Sequence, residues 1–283
     1  MSNIHTLSSL EEKSDEETNL LTTNHYGVDT EYRERQPKAL RYLELVFPAC
    51  TWKSSIFAIS VIQLIVYIAT LIVGSDYFLT PSSATLELFG ANKPSLIAAG
   101  QVHRLLCPIF LHSSIFHILL NLFFQLRMGF LIEKTYGVYS FLILYFVSGI
   151  GGGLLSAAAL FCNVLKVGAS TSGFGLIGCE IAEFVLAWNS LHLKERVFLD
   201  MGIYMLISGV LIFSVNGQRL DHFGHFGGLL CGFCLTIIYN SKMEDKPSWY
   251  QAIRYGSMIV LGSIFVVCLP ILFAIDRHCS EVA

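Results

Sequence analysis

The chain has 283 residues, of which 54% are hydrophobic and only 14% are charged. A soluble domain carries about 25% charged residues, so the composition excludes an ordinary cytosolic enzyme and a disordered chain. The net charge of −3 gives no basis for binding a polyanion, so no nucleic-acid partner is expected. The apolar residues occur in long runs, which indicates a membrane protein.

The N-terminal part of the chain is polar and includes an acidic run, residues 11–17. No apolar segment follows the initial methionine closely, so we expect no cleaved signal peptide. The composition predicts that residues 1–53 form a disordered cytosolic tail. Residues 16–21 match an acidic dileucine sorting pattern, a string that also occurs frequently by chance.

Apolar segments of about 20 residues, the length that crosses a bilayer as a helix, recur from Ser54 onwards. They predict an all-α, polytopic membrane protein with spans at 54–74, 114–132, 138–162, 168–188, 198–215, 221–240 and 252–275. We assign the first six spans to a six-helix core, residues 54–240. The seventh transmembrane helix and a short C-terminus outside the cytosol make up residues 241–283.

The basic residues lie mainly in alternate loops. With a cytosolic N-terminus, 13 of the 18 Lys and Arg residues lie on the cytosolic side. Cytosolic loops of membrane proteins are enriched in Lys and Arg, so we expect the N-terminus inside and the C-terminus outside.

Polar side chains inside membrane spans are costly, so each is a candidate functional residue. They are concentrated at the start of three even-numbered spans, in the sequences 112–121, 167–175 and 221–228. Each sequence alone is explained by close packing or by polar contacts between helices. All even-numbered spans run inward from the outer face, however, which brings the three sequences to one depth.

A serine, a histidine and further donors at one depth favour nucleophilic hydrolysis. A serine hydroxyl needs a base to take its proton, and histidine is suited to that role at neutral pH. Backbone and side-chain N–H groups can stabilise the oxyanion that forms. Asp221 lies one turn before His225 and is expected at the surface, so a Ser–His dyad is predicted rather than a triad.

Two other groups of residues have packing interpretations. Cys231 and Cys234 have CxxC spacing inside a span without two further soft ligands, so we expect no metal and no cofactor. Glu180 and Glu183 lie on one face of span 4 at the depth of Arg127. A structural ion pair is the main interpretation, and a proton or ion path is the alternative.

These residues, in this order, resemble the motifs of the rhomboid family of intramembrane serine proteases. The matching pieces are His103-Arg104, His112, His117-x-x-x-Asn121, Glu133-Lys134…Gly137, Gly168-Ala169-Ser170 and His225-x-x-Gly228-x-x-x-Gly232. The resemblance covers residues 54–239. The extra C-terminal span is similar to the 6+1 class of the eukaryotic secretory pathway, and residues 168–173 are similar to apicomplexan members.

The resemblance implies a role for each matching residue. Ser170 would be the nucleophile and His225 the general base. The oxyanion hole would consist of His117, Asn121 and the Ser170 N–H. The remaining matches would support the site: Phe174 packing against the base, His112 and Arg104 organising the outer loops, and Gly228 letting span 6 approach span 4.

Two serines compete for the nucleophile position. The family places Gly directly after the serine, whereas Thr171 follows Ser170 here, and Ser172-Gly173 is a second match. The two side chains point about 200° apart on a helix, so both cannot face His225. Ser170 is preferred because Phe174 lies one turn further on the same face.

The sequence therefore predicts an intramembrane serine endopeptidase that cuts single-span membrane proteins near their outer boundary. Its partners are these substrates and the lipid bilayer. The apicomplexan resemblance implies surface adhesins as substrates and the Golgi or plasma membrane as location. The alternatives are a catalytically inactive relative that binds or sorts membrane proteins, and a multi-pass transporter, which would use Glu180 and Glu183 and contain an inverted repeat.

Overall fold

The computed structural model describes residues 37, 42–44, 46–159, 165–186, 198, 202–203, 221–240 and 248–274. The chain divides into two compact units, Met1–Pro48 and Ala49–Ala283. In the first unit, residues 42–44 are helical. All elements named below belong to the second unit.

Helices dominate the described part of the second unit. In chain order they are α1 (Ser55–Val73), α2 (Ser83–Leu88), α3 (Pro94–Ala98), α4 (Ile115–Tyr136), α5 (Val138–Ala159), α6 (Ser170–Leu186), α7 (His222–Tyr239) and α8 (Tyr250–Ala274). Among the described residues, the helices α1, α4, α5, α7 and α8 are long and apolar enough to cross a membrane.

The all-α, polytopic membrane fold predicted from the sequence is thus confirmed. The fourth predicted span corresponds to α6, of which 17 residues are described. The fifth predicted span, 198–215, lies almost entirely outside the described residues.

The connection between α1 and α4 is folded rather than extended. It contains a small antiparallel hairpin, β1 (Ser75–Tyr77) with β2 (Thr80–Pro81), then α2, α3 and two 3₁₀ turns at Val102–Leu105 and Cys107–Phe110. Its residue Asn92 forms an antiparallel bridge with Lys166. The Gly168 N–H donates to the Pro108 carbonyl at 2.9 Å. These bonds fix the segment that leads into α6.

Short polar side chains begin the helices that carry the candidate site. The Ser114 hydroxyl accepts the His117 N–H at 3.2 Å at the start of α4. The Asp221 carboxylate accepts the Gly224 N–H at 3.0 Å at the start of α7. Each cap satisfies one backbone donor that has no partner within the first helical turn.

Helix α7 packs directly on the backbones of α5 and α6. A Cβ atom added at Gly228 would overlap the Thr171 carbonyl of α6, and one added at Gly232 would overlap the Gly175 carbonyl. A Cβ atom added at Gly152 of α5 would overlap the carbonyl of Gly224. Small residues therefore set the spacing of the three helices, as is usual in membranes.

A buried polar network joins α1, α4 and α5. The Gln63 amide donates to the Ile109 carbonyl at 3.0 Å and to the Tyr145 hydroxyl at 3.1 Å. The Gln125 amide donates to Gln63 Oε1 at 2.6 Å and to the Ser60 hydroxyl at 2.7 Å. The Tyr145 hydroxyl donates to Gln125 Oε1 at 2.7 Å. Lipid-facing apolar contacts alone specify helix register poorly, so these directional bonds define how the three helices meet.

Candidate active site

Ser170 and His225 are brought into hydrogen-bonding contact by the starts of α6 and α7. Ser170 is the first residue of α6, and His225 lies in the first turn of α7. The Ser170 Oγ lies 2.8 Å from His225 Nε2. With its own proton on Nδ1, the His225 ring accepts the serine proton, which is the arrangement that a general base requires.

The His225 ring is held in place by an aromatic neighbour. The Phe174 ring stacks on it with centroids 4.3 Å apart and an angle of 9° between the planes. Phe174 lies one turn after Ser170 on α6, so one helix face presents both the hydroxyl and the stacking ring. The contact restricts the rotation of the imidazole beside the serine.

The Ser172 side chain lies on a different face of α6 from that of Ser170. It is fully buried on the side of α6 that faces α5, where a Cβ atom added at Gly149 would overlap its hydroxyl oxygen. The structure therefore separates the two serines as the helical geometry predicts. Of the two serines, Ser170 is the one whose side chain hydrogen-bonds to His225.

The hydrogen bonds of His117 indicate which ring nitrogen carries its proton. The Ser113 hydroxyl lies 3.0 Å from His117 Nδ1, and the Ser113 backbone N–H donates to the same nitrogen at 3.5 Å. An acceptor at Nδ1 leaves the proton of a neutral ring on Nε2. That nitrogen lies next to Gly168, two residues before Ser170. His117 can thus offer an N–H beside the serine.

The two other donors implied by the resemblance lie on α4 and α6. Asn121 is buried one turn after His117 on α4, and its amide donates one N–H to the His117 carbonyl at 2.8 Å. A primary amide has a second N–H to offer. The Ser170 N–H belongs to the first turn of α6, where backbone donors have no partner within the helix.

Arg104 and His112 lie in the connection that precedes α4. The buried Arg104 guanidinium donates to the carbonyls of Glu87 and Ala91 at 2.9 and 3.0 Å and to Gln101 Oε1 at 2.7 Å. It therefore ties α2, the loop after it and the first 3₁₀ turn together.

His112 packs its ring against His117 edge to face, with centroids 5.2 Å apart. Complete burial, with His117 beside it, lowers the pKa of His112 well below its ordinary value, so its ring is neutral at pH 7. Gly228, the remaining residue implied by the resemblance, contacts the Thr171 backbone as described above.

Asp221 is more buried than the surface position that we expected from the sequence. It is partly buried, and its Oδ1 accepts the hydroxyl hydrogen of Ser156 at 2.5 Å. Ser156 lies on α5 and was not among the predicted site residues. The sequence shows an Asp in a capping position, but nothing local to Asp221 indicates a partner on another helix.

The acidic and cysteine residues singled out in the sequence lie away from the serine. Glu180 is buried within α6, and Glu183 lies beside Tyr136 of α4. Their pairing with Arg127 stays a prediction. Cys231 and Cys234 are buried free thiols of α7, and the described residues contain no group of metal-ligating side chains.

Comparison with known proteins assigns the family. Residues 99–242 match the model of the rhomboid domain. Rhomboid-like protease 1 of Toxoplasma gondii is 44% identical, with 99% of this chain and 98% of the relative aligned. Rhomboid-like protease 2 of the same organism is 38% identical over 83% of each chain. RHOMBOID-like protein 1 of Arabidopsis thaliana is 34% identical over 71% of this chain and 57% of the relative.

The helical membrane fold and these matches place the chain in one class, the multi-pass membrane proteins of the rhomboid type. The chain belongs to the rhomboid family. Rhomboid proteases act on transmembrane substrates within the bilayer.

Proposed function

We propose that this chain is an intramembrane serine endopeptidase in which Ser170 is the nucleophile and His225 the general base. The observation that carries the proposal is the distance of 2.8 Å between Ser170 Oγ and His225 Nε2. The stacked Phe174 ring supports it, because it holds the imidazole in the orientation that this contact needs.

The chemistry follows from these positions. His225 Nε2 takes the proton as Ser170 Oγ bonds to the carbonyl carbon of the scissile peptide, and the carbonyl oxygen becomes an oxyanion. His117 Nε2–H, the Asn121 amide and the Ser170 N–H are the donors available to stabilise it. The C–N bond then breaks, and the His225 proton goes to the leaving amine. Water, deprotonated by His225, hydrolyses the acyl-enzyme and restores the serine.

The substrate we propose is a single-span membrane protein cut near its outer boundary. The candidate catalytic residues lie at the first turns of α6 and α7, and not at the middle of these helices. A peptide bond within a helix is shielded by its own turns, so the substrate span must unwind locally. Because Gly weakens helices by about 1 kcal/mol, Gly-containing outer segments are the preferred substrates. Water must reach the serine from the same side.

The proposed orientation and location rest on the sequence. The concentration of Lys and Arg in alternate loops supports a cytosolic tail, residues 1–53, and an outer C-terminus. Residues 54–240 would be the protease core and residues 241–283 an added span. From the resemblance of residues 168–173 to apicomplexan members, we propose surface adhesins as the substrate class and the Golgi or plasma membrane as the location.

One reconstitution experiment tests the activity. The full chain is placed in phospholipid vesicles with a single-span substrate whose outer half contains Gly and Ala. Removing either member of a nucleophile–base pair costs about 10⁴-fold or more in kcat. Ser170→Ala and His225→Ala should therefore reduce cleavage to background. Ser172→Ala is the matched control and should cut within about threefold of the wild type, since its side chain faces away from His225.

Two results would contradict the proposal. Cleavage by Ser170→Ala at the wild-type rate would show that another residue is the nucleophile. A wild-type protein that neither cuts a panel of single-span substrates nor reacts with a fluorophosphonate would be an inactive member of the family. Such a protein would bind or sort membrane proteins instead.

A further inference from the structure

The carboxylate of Asp221 connects two helices at the start of α7. Its Oδ1 accepts the Ser156 hydroxyl of α5 at 2.5 Å and the Gly224 N–H of α7 at 3.0 Å. Ser156 is 1% exposed, so water does not compete for its bond. The two side chains are 65 residues apart in the sequence. We call this pair of bonds the α5–α7 clamp.

His225 lies on the turn that the clamp closes. Its backbone N–H donates to the Asp221 carbonyl at 2.9 Å, so the base and the clamp belong to the same helical turn. The same turn also packs against α5 at Gly152, one helical turn before Ser156, where the missing side chain leaves room for the Gly224 carbonyl. The position of the imidazole relative to Ser170 therefore depends on where the clamp holds the turn.

We propose that Ser156 and Asp221 are positioning residues, which hold the first turn of α7 so that His225 stays within hydrogen-bonding distance of Ser170. The proposal rests on the protease function proposed above. The first turn of a helix is its least constrained part, because its backbone donors have no partners within the helix. A displacement of a catalytic group by about 1 Å can cost about 100-fold in rate, so a clamp at this turn has a measurable consequence.

The proposed role depends on the hydrogen bonds of Asp221 and not on its negative charge. Oδ1 is directed to the Ser156 hydroxyl and the Gly224 N–H. An asparagine side chain retains an oxygen that can accept both bonds, and it caps helices as well as aspartate does. Asp221→Asn therefore removes the charge and keeps the clamp, whereas Asp221→Ala removes both.

The test measures the reaction of Ser170 and not only the yield of folded protein. The full chain in phospholipid vesicles is mixed with a fluorescent fluorophosphonate, and the rate constant and the final extent of labelling are recorded separately. In parallel, kcat and KM are measured for a single-span substrate. A lost positioning contact lowers the rate constant and kcat, whereas a folding defect lowers the final extent.

The expected results differ between variants. Ser156→Ala and Asp221→Ala should each lower the labelling rate constant and kcat about tenfold, with KM within about twofold of the wild type. Asp221→Asn should remain within about threefold of the wild type. The double variant Ser156→Ala with Asp221→Ala should be no slower than Asp221→Ala, since both changes break the same link.

Ser148→Ala is the matched control, because Ser148 is a second buried serine of α5 whose hydroxyl has no hydrogen-bond partner among the residues that the structure describes. It should label at the wild-type rate. A wild-type rate for Ser156→Ala overturns the proposal. So does a loss in Asp221→Asn as large as in Asp221→Ala, since it would assign the effect to charge. If even the wild type neither labels nor cleaves, the proposed function fails and the clamp proposal with it.

Discussion

Gly168 leaves open the space between the His117 ring and the Ser170 hydroxyl. A Cβ atom at this position would lie 2.8 Å from His117 Cε1 and Nε2 and 3.6 Å from Ser170 Oγ. The backbone has φ +129°, a conformation that L side chains rarely adopt. Position 168, two residues before the candidate nucleophile, therefore favours glycine for two independent reasons. The backbone conformation is one that L side chains rarely adopt, and the His117 ring leaves no room for a Cβ atom.

Gly168→Ala should lower kcat/KM for a single-span substrate by about 100-fold, the cost of losing one oxyanion donor. The added methyl group would displace the His117 ring from the serine. Gly100→Ala is the control, because Gly100 also has a positive φ of +95° but nothing within 4 Å of an added Cβ atom. The free energy of unfolding of the control should fall by only about 1–2 kcal/mol, because of backbone strain at a positive φ. Equal activity of the two variants would show that the space at Gly168 does not matter.

The sequence predicted the contacts of the site that follow from helical periodicity and topology. Ser170 and Phe174 share a face because they are four residues apart, and His225 reaches them because α6 and α7 begin at the same end. The link from Asp221 to Ser156 was not predictable, since a hydrogen bond between residues 65 positions apart leaves no local pattern. The bonds that orient His117 were missed because Ser113 precedes the helix and reads as an ordinary loop residue.

At the scale of elements, the contact between α6 and α7 sets the distance between serine and histidine. A Cβ atom added at Gly228 would overlap the carbonyl oxygen of Thr171, the residue directly after Ser170. The backbone cannot swing away as a flexible side chain can, so any larger residue must push the helices apart. One substitution would therefore affect both the stability of the bundle and the geometry of the site.

Gly228→Ala should lower the free energy of unfolding by about 1–3 kcal/mol through overpacking. It should also lower activity by separating His225 from Ser170. Gly262→Ala in α8 is the matched control, because an added Cβ atom there meets nothing within 4 Å. Since Ala favours a helix over Gly by about 1 kcal/mol, this control should be neutral or stabilising. Thermal unfolding in detergent micelles, followed by circular dichroism, measures both variants, and equal midpoints would contradict the packing argument.

The ends of most long helices were predictable, but their tertiary contacts were not. The expected spans 54–74 and 221–240 correspond closely to α1 (Ser55–Val73) and α7 (His222–Tyr239), because apolar length and polar caps are local signals. The first residues of α1, however, form hydrogen bonds with a side chain of α4. The Glu133 carboxylate accepts the Ser55 N–H and hydroxyl at 2.8 Å and the Ile56 N–H at 3.1 Å. Capping by a distant helix is a tertiary feature that periodicity does not reveal.

At the scale of the whole molecule, the distribution of basic residues makes a prediction about orientation. Cys50 lies just before α1 and is exposed, and Phe78 lies after α1 with 91% of its surface exposed. The 19 residues of α1 are about 28 Å long, enough to separate the two positions by a bilayer core. A cytosolic N-terminus therefore places Cys50 in the cytosol and Phe78 outside it.

The measurement is labelling with a membrane-impermeant maleimide in cells whose plasma membrane alone is opened by digitonin, which leaves internal compartments sealed. The background variant carries Cys107→Ser, Cys162→Ser and Cys279→Ser, so that Cys50 is its remaining exposed thiol within the described residues. We expect Cys50 to react before full lysis. A second variant adds Cys50→Ser and Phe78→Cys. At the plasma membrane it should react in intact cells, and in the Golgi it should react only after all membranes are dissolved. The reverse order would place the N-terminus outside, and with it the starts of α4, α6 and α7 on the cytosolic side. Cleavage would then occur near the inner boundary of the substrate span, which a cleavage-site determination would detect independently.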